Sequence, residues 1–171
     1  MIQIYTGNGK GKTTASIGQG VRAAGRGLMV YMVQFLKGTP TGELESLKKI
    51  DNFKVFRFEE KRDFVWNLTA EEIEEVKKEV IDAYNFILKV VENKECDLLI
   101  MDEIMGVLQN GFLSVDDVIK IIDINKHDIE IVMTGRNVPE KLAYRADLIT
   151  EMNMIKHYYE KGVPARIGIE Y

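Results

Sequence analysis

A glycine-rich segment near the N-terminus carries the strongest chemical signal in the sequence. It follows a short apolar stretch and precedes a segment of helical pattern, 15–24. In a phosphate-binding loop, glycines let backbone N–H groups turn toward an anion, and the following helix directs its positive end at the phosphates. The residues expected to bind nucleotide here are Gly7, Asn8, Gly9, Lys10, Gly11, Lys12, Thr13 and Thr14. We expect Lys12 to reach phosphate oxygens and the Thr13 hydroxyl to bind Mg²⁺.

The loop departs from the usual pattern at its first position. Thr6 stands five residues before Gly11, where the consensus has glycine. Gly7 and Gly9 supply the backbone freedom instead. A flexible turn between a strand and a helix is the alternative interpretation, but Gly-Lys-Thr-Thr in this context favours phosphate binding.

Two acidic residues follow a second apolar stretch, 98–101. They are Asp102 and Glu103. The carboxyl ends of parallel strands line the ligand crevice of an α/β sheet, so these carboxylates are expected near the phosphate loop. Either could bind Mg²⁺ directly or through water. A solvated strand end is the alternative.

A third apolar stretch, 129–133, ends in Thr134, Gly135 and Arg136. The guanidinium of Arg136 could pair with a phosphate or a carboxylate through two parallel hydrogen bonds. The alternative is a surface turn with a solvated arginine.

Apolar runs of strand length alternate with helical patterns along the chain. The runs are 2–5, 28–36, 53–58, 98–101, 129–133 and 148–155. Most are continuously apolar, as in strands covered on both faces, and the helices between them indicate crossover connections. The sequence therefore predicts an α/β fold of the P-loop NTPase, RecA-like type, with a mostly parallel central sheet flanked by helices. We expect one domain over residues 1–171.

Two helices have clear boundaries. The first spans about 70–93 and begins with a capping-box pattern, Thr69 and Glu72. The second spans about 115–124 and follows Ser114, a good N-cap residue. The first presents one apolar face, and both are expected to be structural.

Composition excludes several classes of protein. The 23 basic and 27 acidic residues give a net charge of −4, which argues against binding a nucleic-acid backbone. No apolar run approaches the roughly 20 residues that cross a bilayer, and no secretory signal is evident. The single cysteine, Cys96, fits a cytoplasmic protein and is expected to pack as a small hydrophobic residue.

These patterns predict a site for Mg²⁺ and a nucleoside triphosphate. They do not say what happens to the nucleotide. Kinase, ATPase switch and group transfer all remain open.

Taken as a whole, the sequence resembles the phosphate-loop type of ATP:corrinoid adenosyltransferase. The segments that carry the resemblance are 7–14, 22–27, 33–38, 42–43, 64–66, 102–103, 134–136 and much of 156–171. The variant loop, the Val-Gln-Phe run and the Gly-Ile-Glu-Tyr end are together specific. An ordinary kinase would not share them.

The resemblance implies a reaction in which Co(I) of a reduced corrinoid, cob(I)alamin or a precursor, attacks the ribose C5′ of ATP and triphosphate leaves. Lys12, the loop amides and Mg²⁺ would neutralise the leaving group. Phe64 and Trp66 match an aromatic pair that displaces the lower axial ligand of the corrinoid, which makes Co(II) four-coordinate and easier to reduce. The alternative is that both aromatics anchor a loop. Arg22 matches a residue near the nucleotide ribose, although a solvated helix arginine would look the same.

The resemblance also implies partners. They are a flavoprotein reductant and a second copy of the chain in a homodimer. Many members carry an N-terminal segment that helps to cover the corrinoid, and we expect this chain to lack it. Competing hypotheses are a small-molecule kinase or ATPase that releases ADP, and a nucleotide- or corrinoid-binding module without catalysis.

Overall fold

A single sheet of six strands organises the described residues. The computed structural model describes residues 1–60 and 65–171. The strands are β1 (Ile2–Thr6), β2 (Val30–Gln34), β3 (Phe53–Phe56), β4 (Leu98–Asp102), β5 (Glu130–Thr134) and β6 (Leu148–Glu151). They lie in the order β3-β2-β4-β5-β1-β6, and each neighbouring pair is parallel. The prediction of a mostly parallel sheet is therefore confirmed.

Six α-helices connect the strands or flank the sheet. They are α1 (Lys12–Ala24), α2 (Gly42–Leu47), α3 (Ala70–Asn93), α4 (Ile104–Gln109), α5 (Val115–Asn125) and α6 (Glu140–Arg145). Short 3₁₀ turns occur at Val65–Asn67 and Tyr158–Lys161. No helix among the described residues is long and apolar enough to cross a membrane.

Each central strand buries both of its faces, as the continuous apolar runs predicted. In β4, Leu98 and Ile100 pack in the apolar layer that contains Ala23 and Ala24 of α1. The alternate residues of β4, beginning with Leu99, pack in the larger layer against α3 and α5. The period of two along a strand produces this division. Helix α1 thus lies on one face of the sheet, and α3 and α5 lie on the other.

The two predicted helix starts have the expected caps. The Thr69 hydroxyl accepts a hydrogen bond from the Glu72 N–H, and the Glu72 carboxylate accepts one from the Thr69 N–H. Ser114 and Asp117 make the same reciprocal pair at α5. Each box satisfies N–H groups that have no partner within their helix.

The sequence patterns missed the three shortest helices and overestimated several strands. Helices α2, α4 and α6 have six residues each, too few to display a helical period. Strand β2 is shorter than its apolar run: it begins at Val30, and Leu36, with a φ of 54°, ends the extended backbone. Strand β6 ends at Glu151, and all four of its residues are exposed at the sheet edge.

Candidate active site

The glycine-rich segment leads from β1 directly into α1. Gly7 and Gly11 have φ of 101° and 119°, conformations that side chains with a Cβ rarely adopt. Helix α1 begins at Lys12 with no side-chain cap. Because the first N–H groups of a helix have no intrahelical acceptor, the amides of Lys12, Thr13 and Thr14 are placed to bind an anion.

The other side of this loop packs against the chain just beyond β6. The Gly9 N–H donates to the Met152 carbonyl over 2.6 Å. A Cβ placed on Gly7 or Gly9 would lie 2.4 or 2.6 Å from the same Met152 oxygen. Gly7 and Gly9 therefore permit the backbone of the loop to lie close to the backbone of Met152. The Gly9 N–H already has an acceptor in the Met152 carbonyl. Anion binding is left to amides nearer the helix.

Gly9→Ala is expected to force the loop away from Met152, because the obstructing atom belongs to the backbone. We expect a loss of about 1–3 kcal/mol in the free energy of unfolding, as for an overpacked site, together with weaker ATP binding. Gly18→Ala in α1 is the control, since a Cβ there meets nothing within 4 Å. That change should be neutral or slightly stabilising. Equal stability of the two variants in chemical denaturation would contradict the packing described here.

Lys12 folds back over the loop. Its ammonium donates to the carbonyl oxygens of Gly7 and Gly9, each over 2.8 Å. Burial, and secondarily the nearby charge of Arg136, lower the pKa of Lys12. A buried ammonium whose described hydrogen bonds go to carbonyl dipoles gains electrostatically when an anion approaches, so Lys12 is suited to a phosphate.

Asp102, at the end of β4, is the polar centre of the site and is fully buried. Its Oδ1 accepts hydrogen bonds from the hydroxyls of Thr13 over 2.9 Å and Thr134 over 2.7 Å. Its Oδ2 accepts from Gln34 over 3.3 Å and from the Lys37 ammonium over 2.6 Å. The sheet itself creates this cluster, because Gln34 of β2 is paired in register with Asp102.

Glu103 has a different environment from Asp102. It adopts a left-handed conformation, φ 62°, and its N–H donates to the Thr134 hydroxyl over 2.9 Å. Its side chain lines the cavity, whereas Asp102 is fully buried and is not among the lining residues. Burial, and secondarily the charge of Asp102, raise the pKa of Glu103. The two carboxylates therefore have separate positions, one packed in the protein and one facing the cleft.

Sequence patterns missed several polar residues of this cluster. Gln34 is 2% exposed, and its amide oxygen accepts a hydrogen bond from Arg57 Nε over 2.8 Å. Arg57 also donates to the Thr39 carbonyl and the Thr41 hydroxyl. A glutamine that interrupts the apolar run 28–36 was the available signal, because a buried amide requires partners.

A cavity of about 1210 Å³ opens at this edge of the sheet. Its lining includes Lys10 to Thr14, Lys37, Trp66, Glu103 and Arg136. Trp66 is 78% exposed, so this lining residue offers a large apolar surface. The other predicted aromatic residue, Phe64, lies outside the described residues.

The C-terminal segment reaches the phosphate loop through Lys10. The Lys10 ammonium donates to the hydroxyl of Tyr158 over 3.0 Å, and to the Ile169 carbonyl and the Glu170 carboxylate over 2.9 Å each. Hydrogen bonds from Arg166, Tyr158 and Lys10 lower the pKa of Glu170. Residues 168–171 thereby form part of the cavity wall.

Three predicted residues have less central positions. Asn8 is exposed and lies outside the cavity lining. Arg136 is exposed and contributes its side chain to the lining. Arg22 is exposed in the last turn of α1, ten residues beyond Lys12, which is about 15 Å along the helix axis. Arg22 is not among the residues that line the cavity, and its assignment to the ribose stays a prediction.

The donors present fit a hard divalent cation. Thr13 and Asp102 offer a hydroxyl and a carboxylate 2.9 Å apart, and Glu103 adds a carboxylate at the cleft. Oxygen donors of this kind suit Mg²⁺, which usually retains water and shares substrate phosphates. Within the described ranges, no three His, Cys, Asp or Glu side chains gather into a metal cluster. Nucleotide phosphates would therefore have to complete the coordination.

Comparison with known proteins decides which family uses this arrangement. All 171 residues match the model of the family described as ATP:corrinoid adenosyltransferase BtuR/CobO/CobP. The chain belongs to this family. The resemblance on which the sequence was assigned to the ATP:corrinoid adenosyltransferases is confirmed.

Curated relatives agree with membership of the adenosyltransferase family. The corrinoid adenosyltransferase of Escherichia coli (strain K12) is 31% identical over 173 residues, which cover 100% of this chain and 85% of the relative. The corrinoid adenosyltransferase of Pseudomonas aeruginosa is 29% identical, with 100% and 83% covered. The corrinoid adenosyltransferase CobA of Salmonella typhimurium is 30% identical, with 100% and 85% covered.

A solved structure supports the fold of this adenosyltransferase. A KaiC-like protein from Pyrococcus horikoshii OT3 superposes with a TM-score of 0.55 at 15% identity, covering 89% of this chain and 70% of that one. Identity this low shows the fold alone. The predicted RecA-like α/β architecture is confirmed.

Proposed function

We propose that this protein transfers the 5′-deoxyadenosyl group of ATP to the Co(I) centre of a reduced corrinoid and releases triphosphate. The match of the whole chain to the ATP:corrinoid adenosyltransferase family carries the proposal. The reaction belongs to adenosylcobalamin biosynthesis or salvage. In it, the Co(I) electron pair forms a bond to C5′ while the C5′–O bond breaks, and its electrons leave with the triphosphate.

The residues around the cavity suit a reaction in which cobalt is the nucleophile. The protein needs no nucleophilic side chain and no general base, because no proton moves in this step. Its task is to hold C5′ in line with the cobalt and to stabilise the charge that develops on the triphosphate. Lys12 and the first-turn amides of α1 would provide that stabilisation, together with Arg136, which also lines the cavity.

Mg²⁺ belongs to this proposal, and Thr13 and the acidic pair have different roles in holding it. Glu103 lines the cavity, so we assign it as the direct carboxylate ligand. Asp102 is fully buried and bonded to the Thr13 hydroxyl, so we assign it to orienting that hydroxyl. When bound, the ion would neutralise charge on the leaving triphosphate.

Trp66 is proposed to contact the corrinoid and to displace its lower axial ligand. Its exposure and its place among the residues that line the cavity support this role. Phe64 would act with it, as the family resemblance implies.

Trp66→Ala is expected to slow product formation from Co(II) by about tenfold or more, a barrier increase of about 1.4 kcal/mol. Alkylation of corrinoid already reduced to Co(I) should change much less. Tyr144→Ala is the control, because Tyr144 is also an exposed aromatic residue but lies outside the cavity. Equal losses in the two assays would indicate that Trp66 only anchors its loop.

The phosphate product tests the proposed reaction against its alternatives. Turnover with ATP, Mg²⁺ and chemically reduced cobalamin should yield one triphosphate for each adenosylcobalamin. A kinase or ATPase would release ADP instead. A binding module would take up ATP without turnover. Either result would refute the proposal.

A homodimer, a flavoprotein reductant and a cytoplasmic location complete the proposal. The first two rest on the family resemblance. The third is consistent with the single cysteine, Cys96, which is a buried free thiol.

A further inference from the structure

A second lysine lies in the site besides Lys12. Lys37 follows β2, and its ammonium lies 2.6 Å from Asp102 Oδ2 and 3.1 Å from Thr13 Oγ1. The Lys37 side chain is 22% exposed and also lines the cavity, whereas Asp102 has no exposed surface. Lys37 therefore bridges the buried carboxylate and the hydroxyl that is proposed to bind Mg²⁺.

Lys37, and not Lys12, is the direct counter-ion of Asp102. A buried carboxylate needs an opposite charge or several hydrogen bonds. Thr13, Thr134 and Gln34 give Asp102 neutral donors, and Lys37 gives it the ion pair. The Lys12 ammonium meanwhile donates to loop carbonyls. The two lysines thus have separate positions, one at the phosphate loop and one at the metal position.

We propose that Lys37 is an internal cation that holds the magnesium position in the nucleotide-free protein and leaves it only when triphosphate binds. This inference rests on the magnesium site of the proposed function. A magnesium ion bonded to Thr13 Oγ1 would be a close neighbour of the Lys37 ammonium, which lies 3.1 Å from that same oxygen. Two cations that close repel each other strongly in a partly buried site.

The position of Lys37 supplies a way to resolve this conflict. Its side chain lines the same cavity as Lys12, Thr13 and Thr14. Triphosphate bound there would attract the Lys37 ammonium away from Asp102, while the metal brings its own charge to the acidic pair. A divalent ion that binds without nucleotide brings no phosphate to attract Lys37. It would have to displace the Lys37 ammonium from Asp102 by itself. Lys37 thereby makes binding of the metal depend on the nucleotide.

Binding of Mn²⁺ without nucleotide tests this role directly. Mn²⁺ replaces Mg²⁺ as the probe, and electron paramagnetic resonance measures the free ion during titration of the protein. Lys37→Met should bind Mn²⁺ at least about tenfold more tightly than the unchanged protein, because the competing cation is gone. Lys48→Met is the matched control, since Lys48 makes an exposed ion pair with Glu45. It should bind Mn²⁺ like the unchanged protein.

A second variant tests the role of the Lys37 charge if the first does not fold. If Lys37→Met does not fold, Lys37→Gln preserves a hydrogen-bond donor to Asp102 without the charge, and the same gain in affinity is expected.

Calorimetry of ATP binding to the unchanged protein, with and without Mn²⁺, tests the metal site itself. If Mn²⁺ strengthens ATP binding but neither variant gains affinity for Mn²⁺ alone, the role of Lys37 is refuted while the metal site stands. If Mn²⁺ leaves ATP binding unchanged, both are refuted.

Discussion

Lys12→Ala is expected to lower kcat/KM for adenosyl transfer by about 10³-fold, with the fold retained. Removing one preorganised donor to a developing negative charge costs about 10²–10³ in rate, and Lys12 brings a full positive charge in a partly desolvated position. In the structure its ammonium contacts only carbonyl oxygens among its described hydrogen bonds. Its loss should therefore have little effect on the free energy of unfolding.

The measurement is steady-state formation of adenosylcobalamin from chemically reduced cobalamin, with circular dichroism to check the fold. Lys77→Ala is the control, because Lys77 lies on the exposed face of α3. Full activity of the Lys12 variant would mean that the loop does not bind the triphosphate.

Asp102→Ala is expected to lower the free energy of unfolding by about 3 kcal/mol, because it leaves a charged donor and three neutral donors without their shared acceptor. For a chain of this size that corresponds to a Tm about 6–12 °C lower. Activity should be lost as well, since the Thr13 hydroxyl would no longer be oriented.

Two further variants separate charge from packing at this position. Asp102→Asn keeps the shape and some hydrogen bonds, so it should be more stable than Asp102→Ala but still lose activity by about 10²-fold or more. Asp82→Ala, at an exposed position of α3, should change the free energy of unfolding by no more than about 0.5 kcal/mol. If Asp102→Ala were as stable as Asp82→Ala, the buried network would have no stabilising role.

The phosphate loop and the acidic pair could be predicted because their signals are local. Glycines at 7, 9 and 11 followed by Lys12 and Thr13 fall within one short stretch, and Asp102 directly ends a buried strand. The strand pattern then implied that both lie at the same edge of a parallel sheet. The hydrogen bond between Thr13 and Asp102 agrees with that placement.

Contacts that depend on strand order could not be predicted. Lys37 reaches Asp102 because β2 and β4 are adjacent and paired in register, although the two residues are 65 positions apart in the sequence. Gly9 meets Met152 because β6 pairs with β1, and nothing in either segment indicates that pairing. An apolar run identifies a strand but not its neighbour. Contacts between residues on neighbouring strands are therefore known only once the structure gives the strand order.

The fate of the ribose C5′ carbon tests the central claim most directly. A single turnover would use ATP labelled with ¹³C at C5′, Mg²⁺ and cobalamin reduced chemically to Co(I), with the products examined by NMR. The proposed function predicts that the label becomes the carbon bonded to cobalt and that triphosphate is released intact. Label that stays in ATP or ADP while reduced cobalamin is present would contradict it.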